Sequence, residues 1–122
     1  MKRSYRAFTL VEIMIVVVIV GILLAIAVPN FIKARERSQT SACIANLRLI
    51  RNAKEKLYQG SHDEKGNPGE IVRSLVDIGE SVLVPRYFEH WPECPSGGRY
   101  TAGPINDDPT CSVPGHQLPD AR

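Results

Sequence analysis

The sequence has few histidines, no closely spaced cysteine pair and no recognisable nucleophile motif. It contains three histidines and three cysteines in 122 residues, without a C-x-x-C spacing that would indicate a zinc site. No G-x-S-x-G elbow is present, although Ser96 and Ser112 lie near His90 and His116 along the chain. We therefore expect no catalytic residue and no cofactor, and the protein is not expected to be an enzyme.

A general excess of positive charge is also lacking. The formal net charge is +2, and three of the basic residues (Lys2, Arg3 and Arg6) precede residue 8, so the remaining chain carries −1. Proteins that bind nucleic acid through its phosphates are usually far more basic. No nucleic-acid partner is expected.

The charges that remain are unevenly distributed. Residues 31–58 carry seven basic and two acidic side chains, whereas residues 59–122 carry five basic and ten acidic side chains. Two explanations stay open. Either the acidic C-terminal region contacts a basic helix face, within a subunit or between neighbours, or both faces are solvated.

The most prominent feature that the sequence does contain is one long apolar segment. Phe8 to Val28 is interrupted by a single charged residue, Glu12. As a helix, these 21 residues would span roughly 31 Å, close to the thickness of the hydrocarbon core of a bilayer. A carboxylate there costs about 2.5–3.5 kcal/mol to insert, so it requires a partner or a function. The segment continues into the charged stretch 33–37, which favours a retained membrane helix over a cleaved signal peptide.

The start of this segment resembles the type IV prepilin superfamily, which covers pilins and type II secretion pseudopilins. The matching residues are a small residue (Ala7), the sequence FTLVE at 8–12, an Ile/Val/Leu run and Pro29. The resemblance implies an α+β fold. It consists of a long N-terminal α-helix, membrane-embedded in its first half and kinked at Pro29, and a small C-terminal antiparallel sheet and loop head.

The resemblance also implies how the N-terminus is processed and used. A prepilin peptidase would cut between Ala7 and Phe8 on the cytoplasmic side and methylate the new amino group of Phe8. Glu12 would then neutralise the N-terminal ammonium of a neighbouring subunit. The family usually has glycine where this chain has Ala7, the mildest replacement. The basic residues before Ala7 favour a cytoplasmic N-terminus, although the far flank is basic as well.

The predicted organisation has four parts: a leader (1–7), a transmembrane and filament-core helix (8–29), an amphipathic continuation (30–59) and a head (60–122). The continuation carries an apolar stripe at helical spacing, formed by Cys43, Leu47, Ile50, Ala53 and Leu57. Gly60 is a helix stop signal. In the head we expect a loop over 60–69, a short helix over 70–78, an irregular segment over 79–96 packed by its aromatic residues, and strands over 98–102 and 109–113.

The three cysteines (Cys43, Cys94 and Cys111) lie beyond the apolar span. The resemblance implies that this part of the chain is outside the cytoplasm, where disulfides are permitted. Because pilins commonly close their C-terminal loop with a disulfide, the resemblance favours Cys94 paired with Cys111. Cys43 would then be a buried apolar residue of the long helix. The alternative to this pairing is a disulfide between Cys43 and a cysteine of the head.

Two metal-binding alternatives rank behind the disulfide. Cys94, Cys111 and His116 would form one site, with His90 or Cys43 as a further ligand. Asp107 and Asp108 would form a calcium site in a C-terminal loop, as in some pseudopilins, although a solvated turn is the simpler interpretation.

Taken together, the sequence predicts a structural subunit, a pilin, of a type IV pilus-like filament that polymerises through its N-terminal helix. One alternative is the major pseudopilin of a type II secretion system, and another is a membrane-anchored binding module. Its partners would be further copies of itself, the prepilin peptidase, an assembly platform and the inner membrane. It would cross the inner membrane once before assembly and then lie in an extracellular pilus or a periplasmic pseudopilus.

Overall fold

The computed structural model describes residues 7–61 and 78–119. In chain order these form α1 (Leu10–Gly60), α2 (Glu80–Leu83), β1 (Tyr100–Thr101) and β2 (Thr110–Cys111). The two strands pair antiparallel, with Tyr100 opposite Cys111 and Thr101 opposite Thr110. The long N-terminal helix with a small antiparallel sheet confirms the predicted α+β fold class, and both strands are shorter than expected.

Helix α1 has 51 residues and contains Pro29. Helical structure continues on both sides of this proline, although proline removes a backbone donor. The predicted kink at Pro29 stays a prediction. The helix ends at Gly60, as its stop signal indicated.

The chain divides into two compact units, Met1–Glu36 and Arg37–Arg122. In the first unit, every described residue is exposed. The second unit contains the hydrophobic core, to which α1 contributes the predicted stripe of Cys43, Leu47, Ile50, Ala53 and Leu57, each at most 5% exposed. The rest of the core comes from the head: Ile78, Leu83, Cys94, Tyr100, Ala102 and Leu118.

The segment that follows residue 78 is more regular than predicted. It forms the single helical turn α2, in which the N–H of Val84 donates to the carbonyl of Glu80 at 2.9 Å and Leu83 is fully buried. The aromatic packing was predicted correctly, because Phe88 and Trp91 contact edge to face at 5.9 Å and pack against the core. The loop predicted over 60–69 and the helix predicted over 70–78 lie outside the described residues, apart from residues 60, 61 and 78.

Candidate functional site

The predicted cleavage position lies just outside the first helix. Ala7 and Phe8 precede α1, and both are exposed, Phe8 at 76%. A peptide bond outside regular structure is open to a peptidase, as the predicted processing requires. The cleavage and the methylation of Phe8 remain predictions.

Glu12 occupies the first turn of α1 and is exposed. Its backbone N–H donates to the Oγ1 atom of Thr9 at 3.3 Å, so Thr9 caps the helix. The carboxylate is also well placed for the positive end of the helix dipole. We did not predict this cap, although the spacing T-x-x-E over 9–12 is that of a capping box. Glu12 thus has a local role in starting the helix, independent of any neighbouring subunit.

The first part of α1 presents apolar side chains in every direction. Among the described residues, α1 is the one helix long and apolar enough to cross a membrane. Large apolar residues that are 46% or more exposed occur throughout the segment: Phe8, Leu10, Val11, Ile13, Met14, Ile15, Val16, Val17, Val18, Ile19, Val20, Ile22, Leu23, Leu24, Ile26, Val28, Phe31 and Ile32. A helix that is apolar all round requires lipid or other helices as its surroundings.

A second group of candidate functional side chains lies in the unit Arg37–Arg122. The Sγ atoms of Cys43, Cys94 and Cys111 and a ring nitrogen of His116 all lie within 4.8 Å of one another. We call these four residues the Cys–His cluster. Cys43, Cys94 and His116 are buried and Cys111 is half-buried. Cys43 comes from α1 and Cys111 from β2, so tertiary packing creates the cluster.

His116 is held at both ring nitrogens. Its Nε2 atom lies 3.2 Å from Oγ1 of Thr40, and its Nδ1 atom lies 3.6 Å from Sγ of Cys94. The residue before it, Gly115, has φ of +81°, a conformation that favours glycine. The N–H of His116 donates to the carbonyl of Val113 at 3.2 Å, which closes this turn. Backbone and side-chain contacts together direct the imidazole toward the thiols.

The thiols of the cluster differ electrostatically. Burial raises the pKa of the Cys94 thiol, but hydrogen bonds from the backbone N–H groups of Ser96 and Gly98 and from His116 outweigh it and lower this pKa to about 6. Burial raises the pKa of the Cys43 thiol to about 12. Burial, together with Cys43, also raises the pKa of Tyr100 above its ordinary value. Cys94 therefore becomes a thiolate more readily than Cys43 does.

The structure brings together most of the residues proposed for the thiol-containing metal site. Cys94, Cys111 and His116 meet, and Cys43 joins them, whereas His90 is exposed and is not a member of the cluster. All three cysteines are free thiols in the structure. The disulfide between Cys94 and Cys111 stays a prediction.

The loop proposed for calcium surrounds a side-chain ammonium. Lys54 is 2% exposed and donates to the carbonyl of Ala102 and, at 2.6 Å each, to those of Pro104 and Asp107. Asp108 is not in a solvated turn as expected, because its carboxylate pairs with Arg51 Nε at 2.8 Å and its side chain is 14% exposed. This pair is one contact between the basic helix and the acidic head, which is the first of the two explanations left open for the charge distribution. A positive charge is thus already placed where calcium would bind.

Comparison with known proteins connects both parts of the chain to filament subunits. A model of the prokaryotic N-terminal methylation motif matches residues 2–28. The type IV major pilin protein PilA of Myxococcus xanthus is 51% identical over 53 residues, which are 43% of this chain and 24% of that protein. No solved structure matches the chain significantly.

Two other relatives extend the similarity into the head. The type II secretion system core protein G of Escherichia coli is 33% identical over 101 residues, 78% of this chain and 69% of that protein. The competence protein ComGC of Halalkalibacterium halodurans is 32% identical over 104 residues, 83% of this chain and 90% of that protein. The fold and these matches define a pilin-like structural subunit. The chain belongs to the type IV prepilin-like family.

Proposed function

We propose that this protein polymerises through α1 into a filament of the type IV pilus kind. The observation that carries the proposal is the apolar segment of α1, in which every residue is exposed and one, Glu12, is charged. Such a surface is stable in a bilayer before assembly and in a bundle of identical helices afterwards, where burial is worth about 25 cal/mol per Å². The protein acts by assembly and not as an enzyme.

Processing prepares the subunit for assembly. A prepilin peptidase cuts between Ala7 and Phe8 and methylates Phe8, which leaves an ammonium group close to the start of α1. Inside the filament, the carboxylate of Glu12 pairs with the ammonium of a neighbouring subunit, because an unpaired carboxylate among apolar side chains is costly. This pairing fixes the stagger between subunits. Pro29 loosens α1 locally, because proline lacks the N–H of a regular helical turn.

The subunit crosses the inner membrane once before assembly, with its leader in the cytoplasm. An assembly platform extracts it, and the helix passes directly from lipid into the filament. The filament is then an extracellular pilus.

A secretion pseudopilus in the periplasm is the second candidate. Similarity to the pilin of M. xanthus covers 43% of this chain, whereas similarity to the secretion core protein G of E. coli covers 78% and reaches the head. A membrane-anchored binding module without a filament is the third and would retain residues 1–7 or remain monomeric after cleavage.

The mass of the N-terminal peptide tests the proposal. We would isolate the protein from native membranes and from sheared surface material and determine this mass in both fractions. N-methylated Phe8 in both fractions is the expected result for a pilus. The same peptide confined to membranes points to a pseudopilin or a minor subunit. An intact Met1 terminus in an abundant, stable product would refute the filament proposal.

A further inference from the structure

We propose that Cys43, Cys94, Cys111 and His116 bind one Zn²⁺ ion in a closed structural site within the unit Arg37–Arg122. Three thiolates and an imidazole nitrogen are ligands that Zn²⁺ accepts in four-coordinate structural sites. Their donor atoms already lie within 4.8 Å of one another. The inference does not depend on the proposed polymerisation.

The spacing of the donor atoms agrees with tetrahedral coordination. Zinc–sulfur and zinc–nitrogen bonds of about 2.3 and 2.0–2.1 Å place the two ligand atoms about 3.6 Å apart across a tetrahedral angle. The distance between Sγ of Cys94 and Nδ1 of His116 is 3.6 Å. Little movement is therefore needed for these two ligands to close on an ion.

The contacts of His116 are compatible with the tautomer that a metal requires. When Nε2 of His116 carries its proton, it donates to Oγ1 of Thr40 at 3.2 Å, and Nδ1 then presents a lone pair toward Cys94. Metal-binding histidines almost always donate their second ring N–H to such an acceptor. Thr40 is thus a positioning residue for the site.

The turn after Cys94 holds its thiol close to β2, within 4.8 Å of Cys111 Sγ. The N–H of Gly97 donates to the carbonyl of Cys94 at 2.9 Å, which closes this turn. A Cβ atom at Gly98 would lie 2.5 Å from Val113 Cγ2 and 3.0 Å from Cys111 Sγ. Only glycine therefore lets this turn approach the strand that carries Cys111.

A single disulfide explains the cluster less completely. Any one pair of cysteines leaves the third thiol unused, and two of the three cysteines are buried. It also leaves unexplained why His116, 7% exposed, points a ring nitrogen at Cys94. One zinc ion uses all four groups. It has no open coordination position, so its role is structural: it fastens α1 to the C-terminal segments of the head.

The metal content of the full chain tests the proposal. We would purify it in detergent from membranes without chelator, and determine bound metal by native mass spectrometry and elemental analysis. One zinc per chain is expected, with all three cysteines protected from alkylation until a chelator is added. Replacing zinc by Co²⁺ should give the charge-transfer absorption of cobalt–thiolate bonds.

Variants connect the ion to these residues. His116→Ala should lose zinc, and His116→Cys should retain one zinc per chain, because a fourth thiolate replaces the imidazole. The exposed His90 offers a matched control, and His90→Ala should bind as the unaltered chain does. Thr40→Val should weaken zinc binding about 10- to 100-fold while leaving the stoichiometry at one.

Two results would overturn the site. One is a Cys94–Cys111 or Cys43-containing disulfide in the purified chain. The other is a reduced, folded full chain that takes up no ion from excess Zn²⁺. Both are measured on the unaltered protein, so they remain decisive even where a variant fails to fold. Neither bears on the N-terminal mass measurement, and the two proposals fail separately.

Discussion

The two halves of α1 form one continuous helix, but the first is exposed and the second is partly buried. Residues 10–38 are all exposed, whereas the part from residue 39 to Gly60 buries six side chains: Cys43, Leu47, Ile50, Ala53, Lys54 and Leu57. Up to Val28 the first half is apolar on all sides apart from Glu12, and the second half has an apolar stripe with charged residues beside it. Helical hydrogen bonding is common to both, so what distinguishes them is where the apolar surface finds a partner.

The two halves also differ in whether a single chain covers their apolar surface. Core residues of the head of the same molecule cover the apolar stripe of the second half. The first half has no such cover from the described residues, and lipid or further subunits must supply it. Substitutions in the second half should therefore change the stability of a single chain, and those in the first half should change assembly.

The largest effect is expected at Glu12. Glu12→Gln keeps a side chain suited to the capping box with Thr9 but removes the charge, whereas Glu12→Ala removes both. If the charge sets the stagger, both variants should insert into the membrane normally and fail to form ordered filaments. Electron microscopy and membrane fractionation check this. Normal filaments from Glu12→Gln would limit the role of Glu12 to starting the helix.

Truncation of Leu47 contrasts the two halves directly. Leu47 is fully buried, whereas Leu24 and Leu49 are each 53% exposed. Leu47→Ala should lower the free energy of unfolding of the head by about 2–5 kcal/mol, because it leaves a cavity. Leu24→Ala and Leu49→Ala, the matched controls, should change it by less than about 0.5 kcal/mol. Denaturant titration of the full chain in detergent measures all three. Equal losses would contradict the described packing.

A substitution of Lys54 is expected to lower the free energy of unfolding somewhat less than Leu47→Ala does. Lys54→Met removes the ammonium that donates to Ala102, Pro104 and Asp107, and leaves their carbonyls without this donor. A loss of about 1–3 kcal/mol in the free energy of unfolding follows. Lys56→Met is the control, since Lys56 is an exposed residue of the same helix. A stable Lys54→Met chain that binds Ca²⁺ would instead revive the calcium alternative for this loop.

The smallest effect concerns the ion pair between Arg51 and Asp108. These side chains are 24% and 14% exposed, so solvent partly screens their attraction. A double-mutant cycle of Arg51→Gln and Asp108→Asn should give a coupling free energy of about 0.2–1 kcal/mol that decreases with added salt. Asp107→Asn, at the exposed neighbouring residue, should have little effect. A coupling unaffected by salt would indicate that the pair is more deeply buried than described.

Local sequence patterns were sufficient for the helix and the strands. The spacing of Cys43, Leu47 and Ile50 predicted which face of α1 is buried, because helical periodicity is a local property. The two strands were located by their turn residues for the same reason. The turn α2 was missed, because a helix of only four residues gives no periodic signal.

The candidate sites also differ in whether a local sequence pattern is enough to predict them. Ala7, Phe8 and Glu12 lie within six consecutive residues, so the amino-acid sequence alone is enough to recognise their motif. The membership of Cys43 in the Cys–His cluster was not determined by spacing, because it lies on α1 far from Cys94 along the chain. The carbonyls around Lys54 are backbone groups of a loop. Every residue type has such a carbonyl, so the amino-acid sequence does not indicate which of them accept from Lys54.

By itself, the sequence determined a long apolar helix with one acid, an amphipathic continuation and a small sheet-bearing head. These follow from residue type and periodicity, which act over a few neighbouring residues. Only the tertiary structure decided which groups meet across long separations: three thiols and an imidazole in one cluster, a buried ammonium among loop carbonyls, and Arg51 with Asp108. The physical reason is that these contacts depend on how α1 and the head pack, and packing is a property of the folded chain as a whole.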